Sequence, residues 1–221
     1  MARLLLTSST YRQSSRFDPV AFERDPLNDL FWRFDLRRLT AEEVRDSILA
    51  VSGNLNPELG GKGVYPPLPR AVLETASRPD AAWGSATPEQ AGRRSLYVFL
   101  KRSLRHPLLE GFDQPDTDRA CSVRFATTVP TQSLMMMNSD FIDRQASRFA
   151  ARLAEARPQG LEAQIRHGLE LVLCRPPAPA EIDEMRMLHA ELIEIESLSE
   201  AEAFDALCVL MLNLNEFLHV G

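Results

Sequence analysis

Three aspartates fall within six residues in the run Phe112-Asp113-Gln114-Pro115-Asp116-Thr117-Asp118, and Cys121, Arg124, Thr127, Thr128 and Gln132 follow closely. Carboxylates this dense in a loop have three chemical uses. Oxygen-rich loops hold calcium, but this spacing is not that of an EF-hand and no ligand glutamate follows at the right place. Paired carboxylates do acid–base work at a glycosidic bond. That makes Asp113 and Asp116, with Arg124, the candidate catalytic set of a hydrolase acting on extracellular polysaccharide. Such a set requires both carboxylates in one open cleft and at least one with a strongly raised pKa. A pocket lined by Asp113, Arg124, Gln132 and Tyr97 would favour it. The third use is structural: Asp113 and Asp116 cap turns and pair with Arg119 or Arg124, holding the loop on a helical body.

Other residues with chemical capacity are scattered. Gly60-Gly61-Lys62-Gly63 lacks the Ser or Thr after Lys62 and the glycine spacing of a phosphate-binding loop. His106, His167, His189 and His219 show no HxH or HxxxH spacing, so no metal site is expected. The cysteines Cys121, Cys174 and Cys208 form no CxxC or CxxCH, which excludes covalent haem attachment and the common zinc patterns; buried free thiols are the default. Met135-Met136-Met137 reads as core filling. GxSxG, HExxH and GxGxxG are absent. Arg33, Arg37, Arg38 and Arg45 form a basic cluster, with Arg45 reaching only Asp46 or Glu42 locally; structural pairing with the acidic second half is its first reading, and an anion or partner site its second. Asn213 and Glu216 share a side of the last helix, where they satisfy a loop's backbone.

The elements that must position these residues are mostly helical. Asp25-Pro26 starts a helix with Leu27, Leu30, Phe31 and Phe34 on one face. Thr40-Ala41-Glu42-Glu43 is a capping box, followed by the stripe Val44, Ile48, Val51 and a stop at Gly53. Six prolines and four glycines between residues 57 and 90 exclude long regular elements there; Val64, Tyr65, Leu68, Val72, Leu73 and Trp83 give this stretch something to bury. Arg94 to Arg102 reads as a buried strand or a buried helix, and 106–128 as irregular. Pro130 opens a helix carrying Leu134 and Met137, and Ser139 caps a continuation with Phe141, Phe149 and Leu153. Further helices begin at Leu161, Pro179 and Ser199, with stripes Ile165/Leu169/Val172, Ile182/Met185/Leu188/Leu192/Ile195 and Phe204/Leu207/Met211/Leu214/Leu218. Short connections imply antiparallel packing. The expected fold is mostly α: a helical bundle with a long Pro/Gly-rich loop and room for one short β pair. It is read as one domain over 1–221, with N-terminal helices over 1–56, a loop-rich insert over 57–128 and a C-terminal bundle over 129–221.

The 221 residues carry a net charge of −6. The first 110 hold 16 basic and 13 acidic side chains, the remainder 9 and 18. An acidic balance disfavours nucleic acid as a partner, and no apolar run approaches the ~18 residues of a membrane helix. The N-terminus is too short in apolar residues for a secretory signal.

Ordered motifs then add up. Leu6-Thr7-Ser8-Ser9-Thr10-Tyr11-Arg12-Gln13-Ser14-Ser15, Asp25-Pro26-Leu27-Asn28 and Arg37-Arg38-Leu39-Thr40-Ala41-Glu42-Glu43-Val44-Arg45 come first. Ser52-Gly53, Arg94-Ser95-Leu96-Tyr97-Val98-Phe99, Phe112-Asp113-Gln114-Pro115-Asp116, Thr127-Thr128-Val129-Pro130-Thr131-Gln132, Asn138-Ser139 and Asn213-Leu214-Asn215-Glu216-Phe217-Leu218 follow. Together they make the chain resemble the planctomycete PSD-one domain, a bacterial domain without established activity. The binding candidates on these motifs are Tyr11, Arg12, Arg37, Arg38, Arg45, Tyr97, Gln132 and Asn138. The resemblance implies the C-terminal part of a large exported protein carrying a cytochrome-c-like domain, so that haem c would belong to a partner domain and none to this chain. It also implies that the chain is N-terminally truncated. Three roles follow as expectations: a non-catalytic interaction or scaffold module, the hydrolase, or a module contributing to the haem environment of a partner.

Overall fold

The computed structural model describes residues 1–157 and 159–221. It is mostly α, with twelve helices among the described residues and one two-stranded antiparallel sheet. Met1–Arg38 with His219–Gly221 form one compact unit, and Leu39–Leu218 the other.

The smaller unit holds α1 (Ala2–Leu6), α2 (Pro19–Arg24), β1 (Arg37–Arg38) and β2 (His219–Val220), with Arg37 opposite Val220 and Arg38 opposite His219. The helix expected from Asp25-Pro26 does not form. A helix forms about two turns earlier instead, where the Asp18 carboxylate accepts from the amides of Val20 (2.8 Å) and Ala21 (3.1 Å) at the start of α2. Asp25 instead nucleates a turn, accepting from Asp29 N (3.0 Å) and Leu30 N (2.8 Å). Asn28 and Phe31 lie at φ +59° and +54°, which no α-helix admits. Leu27 and Leu30 are consequently exposed, not a buried face.

The larger unit begins with α3 (Ala41–Val51). Its capping box is as expected, with the Glu43 amide donating to Thr40 Oγ1 and the Glu43 carboxylate accepting from Thr40 N. Between α3 and the bundle run α4 (Arg70–Leu73), α5 (Pro88–Ala91), α6 (Pro107–Gly111) and two single 3-10 turns, Pro79–Ala81 and Ser95–Tyr97. This insert is tied down by its aromatics. Tyr65 meets Trp83 at 5.3 Å and Phe99 at 4.8 Å between ring centroids, and Trp83 Nε1 donates to Pro66 O. Residues 94–102 are neither of the two expected forms. They make the short 3-10 turn and then an isolated parallel bridge between Val98 and Val64, so Leu96 and Leu100 end up exposed.

The bundle comprises α7 (Pro130–Met137), α8 (Asp140–Ala156), α9 (Leu161–Leu173), α10 (Pro179–Glu194), α11 (Glu200–Leu212) and α12 (Asn215–Leu218). Its centre is α11 against α8, with α9 and α10 alongside. Phe149, Leu153, Ile165, Leu169, Leu207 and Met211 are fully or almost fully buried there. Gly168 permits the approach of α9: a Cβ at that position would stand 2.9 Å from Met211 Sδ and 3.0 Å from Leu153 Cδ1. On α7 the inward face differs from expectation, because Gln132 and Met136 are buried while Leu134 and Met137 are exposed. Val98, Leu108, Leu109 and Phe112 of the insert belong to the same hydrophobic cluster as the bundle, which makes the insert part of the core.

Candidate functional site

The acidic loop leaves α6 through Phe112, which is buried, and Asp113, whose φ of +63° is a left-handed conformation that Asp tolerates. The Asp113 carboxylate accepts from Thr127 N (2.7 Å) and from Thr127 Oγ1 (2.9 and 3.0 Å). Gln132, buried on the first turn of α7, donates to Gly111 O (3.0 Å) and accepts from Val129 N (3.3 Å). Asp113, Thr127 and Gln132 thus bind both ends of the 113–127 loop to α7. Asp116 accepts from Asp118 N (3.0 Å) and from Arg105 (2.5 Å). Chiefly that amide, then the charges of Arg105 and Arg119, hold its carboxyl below the usual range. Arg124 is bidentate on Glu42 of α3, at 2.8 and 3.2 Å. Asp116 thus caps a turn and pairs with an arginine, Arg105, with Arg119 near enough to act on it; Asp113 is held by Thr127, and Arg124 by Glu42 of another element.

Tyr97 and the glycine-rich turn form a different assembly. The Tyr97 hydroxyl accepts from Gly60 N (2.7 Å), and the guanidinium of Arg93 lies 3.9 Å from the Tyr97 ring centroid. Arg93, buried and not foreseen, donates to the carbonyls of Lys62 (3.2 Å), Glu58 (3.3 Å) and Gly60. The turn resembling a phosphate loop thus presents carbonyls to a cation, the reverse of the amide cradle an anion needs.

Arg45 is the largest departure among the binding candidates. It is fully buried and reaches far beyond its own helix, donating to Arg93 O (3.0 Å), Ala91 O (2.6 Å) and Ser95 Oγ (3.2 Å). Asp46 accepts from Ser95 N (2.7 Å) and Arg94 Nε (3.3 Å). Consecutive residues of α3 therefore clamp segment 91–95 through both its carbonyls and its amide. Gly92 within it passes so close to Asn54 O that a Cβ would collide. Burial, opposed by Asp46, draws the Arg45 pKa down to about 10, so it stays cationic at neutral pH.

Tyr11 is exposed, with its amide donating to Ser8 Oγ (3.2 Å), and the Arg12 amide donates to Ser8 O. Arg37 donates to Arg38 O (3.4 Å), and Arg38 is buried. Asn138 donates to Leu134 O (2.7 Å), closing the end of α7. The last helix read from the sequence is two, α11 and α12: Asn213, at the C-terminal cap of α11, donates to Val209 O, and Glu216 of α12 pairs with Arg175 (2.8 Å), so neither serves a loop's backbone. Of the thiols, Cys208 is buried, while Cys121 and Cys174 are exposed, against the default.

His106 opens α6, stands edge-on to Phe141 and is 6% exposed. Burial, reinforced by the Arg45 charge, draws its pKa from 6.5 to about 3. The unfolded chain takes up a proton below pH 6.5 that the folded chain refuses until about pH 3. Stability is therefore complete above pH 6.5 and lost as pH falls through that window. By pH 5 the His106 contribution to the loss is about 2 kcal/mol. Urea midpoints at pH 7 and 5 for the protein and for His106→Gln check this: the variant should lose about 2 kcal/mol less, and equal losses refute it.

Two concavities among the described residues exceed 600 Å³. One of about 680 Å³ runs along α3, where Glu42, Glu43, Asp46, Arg94 and Arg124 meet Leu96 and Leu100; neither Asp113 nor Asp116 lines it. Another, of about 630 Å³, lies on the Phe141 face of α8 and reaches down to Arg45. Among the described residues no group of three or more His, Cys, Asp or Glu is placed to hold a metal ion, and no helix is long and apolar enough to cross a membrane.

A family model described as PSD1, protein of unknown function (DUF1553), matches residues 1–189. No curated protein and no solved structure matches the chain.

Proposed function

The chain belongs to the PSD1 (DUF1553) family, and on that premise we propose that it is a non-catalytic interaction module of a larger planctomycete protein, working beside a cytochrome-c-like domain. The observation that supports this is the employment of its reactive side chains. Asp113, Asp116 and Arg124 are each engaged with a different partner: Thr127, Arg105 and Glu42. A general acid at a glycosidic bond needs a raised pKa, whereas Asp116 is shifted the other way. These residues are braces that give a long insert one shape, and a surface of one shape is what a docking module requires. In this reading haem c is carried by the partner, and the setting is exported, both following from the resemblance.

Affinity purification of the tagged protein from its native organism, with haem staining, tests the proposal. The expected result is a stoichiometric haem-bearing partner and no polysaccharide hydrolysis by the purified chain. Recovery of the chain alone removes the cytochrome partner. Glycan turnover that disappears in the Asp113→Asn, Asp116→Asn double variant makes the chain an enzyme and overturns the reading.

A further inference from the structure

The 630 Å³ hollow on α8 has the size of a small-molecule site and an unusual balance of polar groups. Phe141, Arg144, Gln145 and Arg148 recur at three- and four-residue spacing, which places them on one face of α8. Arg144 makes no hydrogen bond or ion pair among the described residues. Among the described residues Arg148 has Asn54 Oδ1 alone, at 3.3 Å. At the inner end lies Arg45, which is cationic, has no carboxylate among its hydrogen-bond partners, and keeps a buried Nε without a partner. Gln145 adds a donor. Its Oε1 already accepts from Ser52 Oγ (2.8 Å) and Asn54 Nδ2 (2.7 Å), so only its amide N–H groups remain.

Against three guanidiniums the wall carries one carboxylate, Glu89. That carboxylate is occupied locally by its own amide and by Thr87. Donors thus outnumber acceptors, so the hollow favours a ligand that brings acceptors and negative charge. Guanidinium forks match a planar carboxylate two bonds at a time. Beside the amides of Asn54 and Asn56, the wall is built from Phe141, Leu49, Leu55 and prolines such as Pro57, Pro67 and Pro88; that apolar part suits a ring or a flat hydrocarbon body.

We propose that this hollow binds a small organic carboxylate with a ring-shaped body, its carboxylate taken by Arg144 and Arg148 at the mouth and drawn inward by the field of Arg45. The site is independent of the interaction-module reading, since a module and an enzyme can each carry it.

The test is an NMR titration of the labelled protein with benzoate, glucuronate, benzamide and inorganic phosphate at fixed ionic strength. The expected result is saturable shifts in α8 amides with at least one of the two acids and none with benzamide. Arg144→Gln combined with Arg148→Gln should weaken that binding by about tenfold or more, consistent with loss of charge-assisted hydrogen bonds. Both side chains are exposed, so the variant should fold. Arg186→Gln, an exposed arginine of α10, should leave the affinity unchanged. Equal binding of benzamide, binding of phosphate alone, no response to either acid, or acid binding that survives the double variant each overturns the proposal.

Discussion

Replacing Arg45 with alanine is expected to lower the unfolding free energy by about 3–5 kcal/mol. The change removes the donors to Ala91 O and Arg93 O and empties a fully buried volume. Each carbonyl left dry costs about 1–3 kcal/mol. Relief from burying a cation offsets part of this, since a buried charge is itself expensive. Arg45→Lys separates the two effects: it keeps the charge and loses the fork, and should fall between the protein and the alanine variant. The expected drop in melting temperature for Arg45→Ala is roughly 10 °C. An unchanged midpoint, or a lysine variant as weak as alanine, contradicts the clamp.

Phe149→Ala should cost about as much, roughly 3–5 kcal/mol, for a different reason. Phe149 is fully buried on α8, the helix packed most extensively against α11. Its removal leaves a cavity that helices braced on several sides cannot close. Phe125, 78% exposed in the acidic loop, is the control: its alanine variant should stay within about 0.5 kcal/mol of the unaltered protein. Urea denaturation of both variants reads the contrast, and comparable losses would mean that the bundle centre is misplaced.

The parts of this fold legible in the sequence are those governed by local chemistry. Thr40 with Glu43 and Ser199 with Glu202 cap their helices in the structure, and Pro130 and Pro179 stand at first helical positions. These signals need only three or four residues of context. Where local and tertiary demands compete, the local reading fails. The apparent helix after Asp25 lost to a loop in which the Asp25 carboxylate gathers the amides of Asp29 and Leu30, with two left-handed residues, Asn28 and Phe31. The 94–102 run was shaped by pairing with Val64, thirty-four residues away in sequence. The braces were the least visible, because a donor's partner among backbone carbonyls has no sequence signature. One clue was present nonetheless. Arg45 lies four residues after Ala41 and three before Ile48, both buried, so it falls inside the apolar stripe of α3. Gln145 sits likewise between Ile142 and Phe149 on α8. A polar residue on a buried stripe predicts an internal partner, and both have one.

Residues 39–218 form one compact unit in which the Pro/Gly-rich insert is a core member, and such a unit should unfold cooperatively. Trp83 reports the insert and far-ultraviolet circular dichroism reports the helices; Trp32→Phe removes the only other indole. In that background, urea unfolding should give coincident midpoints by Trp83 fluorescence and by dichroism, and adding Arg45→Ala should shift both together. A fluorescence transition completed at lower urea than the loss of helix would show the insert to be a separate, weaker layer and would contradict the account.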